Sequence, residues 1–223
     1  ELYSGMSKVA SGNPEAWVQE ELSPEEISTP SAKNRMLAFP YTKRHNSQWN
    51  VDQAACLILC SLKVARELGL AEDRFLFPLA AAESNHMVSL VERGALDRCF
   101  GFQLAGAAAL RSAGLSIEDV QRFELYSCFP VAVRSQMREL EVPSGAEVTQ
   151  CGGMAYAGGP LNNVTFQGLV RMVAQLRGNP GEIGLVTSVS GMLTKQGVTL
   201  WSTKAPERPF EFTDVSEEVA SQM

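Results

Sequence analysis

Residues 151–163, "CGGMAYAGGPLNN", hold four glycines, one proline and no acidic or basic side chain. Glycine lets a backbone adopt positive φ and come close to whatever faces it. The preceding "EVTQC" reads as a short strand. The following "NNVTFQGLVRMVAQLRG" reads as a long helix, with Val164, Leu169, Val173 and Leu176 on roughly one side. Gly178-Asn179-Pro180 ends it. A glycine loop entering a helix N-terminus offers unpaired N–H groups and about half a positive charge. A phosphate, an oxyanion or a thioester carbonyl fits there. The same pattern also serves a tight turn packed on its own sheet, and pattern alone does not separate the two. The loop lacks the Lys-Ser/Thr of a P-loop and the spacing of a dinucleotide fingerprint.

Outward from the loop, apolar runs and helical stripes alternate. "DQAACLILCS" ends at Ser61 and, from its length, reads as a buried strand that places Cys56 and Cys60 in the core. Ser61 caps a helix over "LKVAREL", stopped by Gly69. "RFLFPLAA" is strand-like, with Pro78 either interrupting its middle or placing it at an edge. "FGFQLAGAAALRSAG" is a helix with a Phe100, Leu104, Ala107, Leu110 stripe, closed by Gly114. "FELYS" is a strand, and "FPVAVRSQMREL" a helix with Pro130 in its first turn. "EIGLVTSVS" and "GVTLWS" close the series around a turn at Gly191. The βαβαβαββ order is that of an α/β layered domain, a mixed sheet with helices on its faces. Its ligand loops are expected beyond one edge of the sheet.

Composition sets further bounds. The 223 residues are 45% hydrophobic, enough for one large core, and carry a formal charge of −6. Nucleic acid is therefore not expected as the partner, and no apolar run reaches the roughly 20 residues of a membrane span. Five cysteines, without a C-x-x-C pair or a Cys/His cluster, give no metal site and read as reduced thiols of a cytoplasmic protein. The segments 1–49 and 204–223 are rich in Pro, Ser and acidic residues. They are expected as an excursion and a polar tail or linker around a compact domain at 50–203.

"GGMAYAGGPLNN" resembles the thiolase motif of two glycines, four residues, then Gly-His-Pro-Leu-Gly, without a gap from Gly152 to Leu161. "NVDQAACLILCSLKVARELGL" resembles the thiolase segment Asn-Asp-Gly-Ala-Ala-Ala and the apolar strand after it. "ELYSCFP" falls where thiolases carry Asn-Glu-Ala-Phe, and "GLVTSVSGMLTKQG" where they carry Cys-x-Gly-Gly-Gly. The blocks keep thiolase order over roughly residues 50–203. They are most similar to thiolase-like proteins labelled acetyl-CoA acetyltransferase.

The resemblance implies the thiolase fold of two similar α/β halves, with this chain as the end of the first half and the whole second half. It implies coenzyme A thioesters as substrate, an acyltransferase role in lipid metabolism, and a missing N-terminal half that carries the nucleophilic cysteine. It leaves open a homo-oligomer, an OB-fold partner as in related retro-aldolases, and a non-catalytic acyl-CoA-binding or assembly module. It also implies where the site lies. Gly159 stands at the histidine of the loop motif, Tyr126 at the Asn or His of the second motif, and Ser188, or Val189 if the register slips by one, at the second cysteine. Gly158, Gly159 and Gly191 would present backbone to the substrate. Cys128 is a candidate thiol before a helix start, and His45 a candidate at the acyl-CoA channel. No residue here supplies the lost histidine base.

Overall fold

The computed structural model describes residues 1–222. Two helices open the chain, α1 (Leu2–Ser11) and α2 (Pro24–Ser28), followed by a hairpin of β1 (Met36–Ala38) and β2 (Tyr41–Thr42). Then come α3 (Leu62–Glu67), β3 (Phe77–Asn85), α4 (Phe100–Ala113), β4 (Arg122–Glu124), α5 (Pro130–Glu139), α6 (Val164–Gly178), β5 (Ile183–Ser190) and β6 (Lys195–Ser202). β7 (Glu211–Asp214) and α7 (Ser216–Gln222) finish it. The main sheet runs β4-β5-β6-β3-β7; β4 is parallel to β5 and β7 to β3, whereas β6 is antiparallel to both neighbours. This is the mixed α/β layered architecture expected from the element order.

Local chemistry explains most boundaries. Ser61 Oγ accepts from Val64 N at 3.2 Å and caps α3. Gly114, at φ +70°, takes the left-handed conformation that stops α4. Pro130 sits at the first position of α5, where its missing N–H costs nothing. The buried face of α4 is Gly101, Phe102, Ala105, Gly106, Ala108 and Ala109, not the stripe headed by Phe100 and Leu104. Small residues let this helix lie close on β3 and β6, so backbone proximity, rather than side-chain size, chose the face.

Three expectations are corrected. Residues 51–60 form no strand and pair with none, with Gln53, Ala55 and Leu57 half-buried and Ile58 93% exposed. Cys56 and Cys60 are exposed, not core. "EVTQC" forms no strand either; it lies along the end of β4, where Leu125 N donates to Val148 O at 2.9 Å. The terminal segments are structural as well. Tyr3, Met6 and Ala10 of α1 belong to the main core, as do Val215 and Val219 around α7, and β7 pairs with β3.

Candidate functional site

Tyr126 and Ser188 are brought together by strand register. Glu124 pairs with Val186 across the parallel β4–β5 ladder. Two residues further along, Tyr126 and Ser188 therefore stand side by side at the carboxyl ends of their strands. Tyr126 N donates to Thr187 Oγ1 at 2.8 Å, which fixes the backbone there. Both residues line a cavity of about 310 Å³ with Glu83, Asn85, Lys195 and, from the exit of the glycine loop, Leu161 and Asn162. Opposite Ser188 on β6 is Gly197. A β carbon there would lie 2.5 Å from Ser188 Oγ, so glycine makes room for the hydroxyl. Ser84, 1% exposed, also lines the cavity, and its hydroxyl has no hydrogen-bond partner.

The glycine loop is buried throughout residues 151–159. Its anchor is Glu124, whose carboxylate accepts from Gln150 N (2.6 Å), Cys151 N (3.0 Å), Thr149 Oγ1 (2.9 Å) and Cys151 Sγ (3.1 Å). Thr149 Oγ1 in turn accepts from Gly152 N and Gly153 N. Ser127 Oγ accepts from Met154 N at 2.9 Å. Sequence reasoning missed Glu124 and Thr149. The available signal was one carboxylate between Phe123 and Leu125 in an apolar strand, a position that demands buried donors.

The glycines admit parts of the chain itself. A β carbon on Gly152, at φ +108°, would lie 2.5 Å from Ala10 Cα in α1. On Gly158, at φ +112°, it would meet the Gln53 side-chain amide, which donates to Ala157 O at 2.8 Å. Gly159 N donates to Gln48 O at 2.8 Å, and its α carbon faces Met154 and Ser47. That N–H is therefore spent and not free to hold an oxyanion. Close approach in this loop is internal packing by α1 and residues 47–53.

The chain is similar to known proteins in sequence and fold. Over 142 residues, 63% of this chain and 34% of the relative, it is 28% identical to a 3-ketoacyl-CoA thiolase of Psychrobacter arcticus. It superposes on a monomeric SCP2-thiolase like protein type 1 of Mycobacterium smegmatis with a TM-score of 0.84 and 28% identity, over 99% of this chain and 48% of that one. The chain is thiolase-like. It spans about a third of the first relative and about half of the second. No family model matches it.

The other predicted positions of this thiolase-like chain lie apart from the Tyr126–Ser188 cavity. His45 lines a separate hollow with Pro130 and Arg134, and its ring lies tilted between those of Tyr3 and Tyr41. Its Nδ1 accepts from Thr42 N at 3.2 Å, and partial burial lowers its pKa. Gly191, at φ +57°, forms the β5–β6 turn against Thr194 and Met87. Burial pushes the Cys128 thiol up to about 11, so it is a thiol and not a thiolate near neutrality. Burial, then proximity to Cys128, also raises Tyr126, whose hydroxyl remains a hydrogen-bond donor. Cys151 is raised well above the ordinary range by burial and by Glu124 beside it. Of the predicted positions, the cavity holds only the Tyr126 and Ser188 hydroxyls, neither a base at neutral pH; the carboxylate in its wall is Glu83. Among the described residues no cluster of His, Cys, Asp and Glu suits a metal ion, and no helix is long and apolar enough to cross a membrane.

Proposed function

We propose that this chain is the substrate-binding half of an acyl-CoA acyltransferase of the thiolase type. Its substrate is a coenzyme A thioester, as the name of the 3-ketoacyl-CoA relative indicates for that protein. The observation that carries this is the pairing of Tyr126 and Ser188 on one cavity wall at the carboxyl edge of the sheet. Tyr126 donates a hydrogen bond to an acyl oxygen, and Ser188 borders the same space. The nucleophile and the base come from a second α/β half, on the same polypeptide or another. Exposed apolar side chains on and beside residues 51–60, Ile58, Leu59 and Leu68 among them, support such a half as their cover.

The lack of a base among these positions favours a second reading, an acyl-CoA-binding module without turnover. One experiment separates the two. Acetyl-CoA binding is measured by calorimetry, and cleavage of acetoacetyl-CoA by free CoA through the release of two acetyl-CoA. The chain alone is expected to bind without turnover, and Tyr126→Phe to weaken binding by about 1 kcal/mol. Turnover on adding the second half supports the acyltransferase, whereas unchanged binding without turnover supports the module. Absence of acetyl-CoA binding, with and without the second half, rejects both.

A further inference from the structure

A second cavity, of about 130 Å³, opens at the start of α4. His86, Arg93, Arg98, Phe100, Gly101 and Gln196 are among its walls. Apart from Gln196, which also borders the Tyr126–Ser188 cavity, no residue of it is used in the acyl-CoA reading. α4 has 14 residues, and its first N–H groups, those of Phe100 and Gly101, have no intrahelical acceptor by geometry. Its positive end therefore faces this space.

Two further groups here are unsatisfied. Gln196 is 5% exposed, and its amide nitrogen donates to Leu193 O while its buried oxygen has no partner. That oxygen lies where a β carbon on Gly101 would be, against the first turn of the helix. Arg93 donates from Nη2 to Met192 O at 2.7 Å, and its buried Nε has no acceptor. The other cations nearby are neutralised: Arg98 is bidentate on Glu139 at 2.9 and 3.0 Å, and Arg138 pairs with Glu139 and Asp97. The cavity therefore offers an uncompensated guanidinium N–H, two helix N–H donors and one buried acceptor.

A fully deprotonated anion satisfies the donors but repels the Gln196 oxygen. A neutral donor satisfies Gln196 but leaves Arg93 and the helix end without an acceptor. We propose that this cavity binds a small oxyanion that keeps a proton at neutral pH, of the class of inorganic phosphate or hydrogencarbonate. Its hydroxyl donates to Gln196 Oε1, and its other oxygens accept from Arg93 Nε and the N–H groups of Phe100 and Gly101. A phosphate monoester is a poorer fit. It is largely unprotonated at pH 7, and its organic group would have to leave a small cavity.

The site is tested by NMR titration of the whole chain at pH 7 with phosphate, hydrogencarbonate and sulfate in separate arms. The amide signals of Phe100 and Gly101 are expected to shift and saturate with phosphate or hydrogencarbonate, and the tighter of the two identifies the source. Sulfate, which carries no proton, is expected to bind about tenfold more weakly, one lost hydrogen bond to a buried acceptor. Arg93→Met should remove binding of all three. Gln196→Leu should remove the preference over sulfate. Equal binding of sulfate and phosphate by the parent protein overturns the proposal, as do Phe100 and Gly101 signals that do not move. If Gln196→Leu fails to fold, the parent comparison of phosphate with sulfate decides alone.

Discussion

Residues 51–60 and residues 151–159 are both poor in charge and both adjoin a helix, yet they have opposite fates. The glycine loop, two-thirds of it glycine and alanine, is buried throughout. The run "AACLILC" is far more apolar and lies largely exposed. Hydrophobicity drives burial only where a surface exists to receive it. The loop has such a surface on every side: α1 above Gly152, Gln53 against Gly158, and the Glu124 carboxylate beneath its first peptides. The apolar run has the protein on one side only, and its alternating exposure from Val51 to Ile58 is that of a strand with one face unfilled.

The largest effect that sharpens this contrast is at Gly152. Gly152→Ala puts a methyl group against the α1 backbone at a φ that side chains rarely adopt. We expect a loss of about 3 kcal/mol or more in urea denaturation, strain and overpacking together. A loss below 1 kcal/mol would mean that α1 yields easily and that the loop is not tightly enclosed.

Next come two buried carboxylates with opposite pH behaviour. Burial raises the pKa of Glu124 even though four donors point at it. Its stabilising contribution is therefore complete below the ordinary carboxylate pKa and is lost as pH rises through the folded value. Glu139 is held down at about 2: burial acts upward, but hydrogen bonds from Arg98, Arg138 and Cys99 N outweigh it. Its contribution is present above the ordinary value and is lost as pH falls toward 2. Glu124→Gln should cost about 2 kcal/mol at pH 4, and the gap to the parent should narrow as pH rises. Glu139→Gln should cost about 2 kcal/mol at pH 7, discounted because Arg98 is partly exposed. That gap should shrink below pH 4. Denaturation curves from pH 2 to 8 read both, and gaps that move the same way would break the distinction.

The smallest effect is at the exposed run. Ile58→Ser in this chain should change stability by less than about 0.5 kcal/mol. A loss above 2 kcal/mol would show that Ile58 is packed, contrary to its 93% exposure.

Much of this was legible in sequence wherever the deciding chemistry is local. Ser61, Gly114 and Pro130 set their helix ends as their residue types dictate. The β4–β5 ladder that joins Tyr126 to Ser188 follows from two apolar strands around the glycine loop. What was illegible depends on distant partners. An apolar run reads as buried whether or not anything covers it, and residues 51–60 pair with no strand among the described residues. Glycines read as an approach to a ligand when the approaching group, Gln53 or Ala10, is remote in the chain. α1 did leave a trace, since Tyr3, Met6 and Ala10 recur at helical spacing. The surrounding Pro, Ser and Glu concealed it.

The proposed acyltransferase requires that residues 54–60 become a strand when a second α/β half covers them. Hydrogen exchange of their amides measures this directly, with residues 152–157 as the internal reference. In this chain alone, the amides of 54–60 should exchange within seconds, while those of Gly152, Gly153 and Met154 remain protected. With the second half present, 54–60 should gain protection of at least a hundredfold. Protection of 54–60 in the chain alone, or none in the presence of the second half, would contradict it.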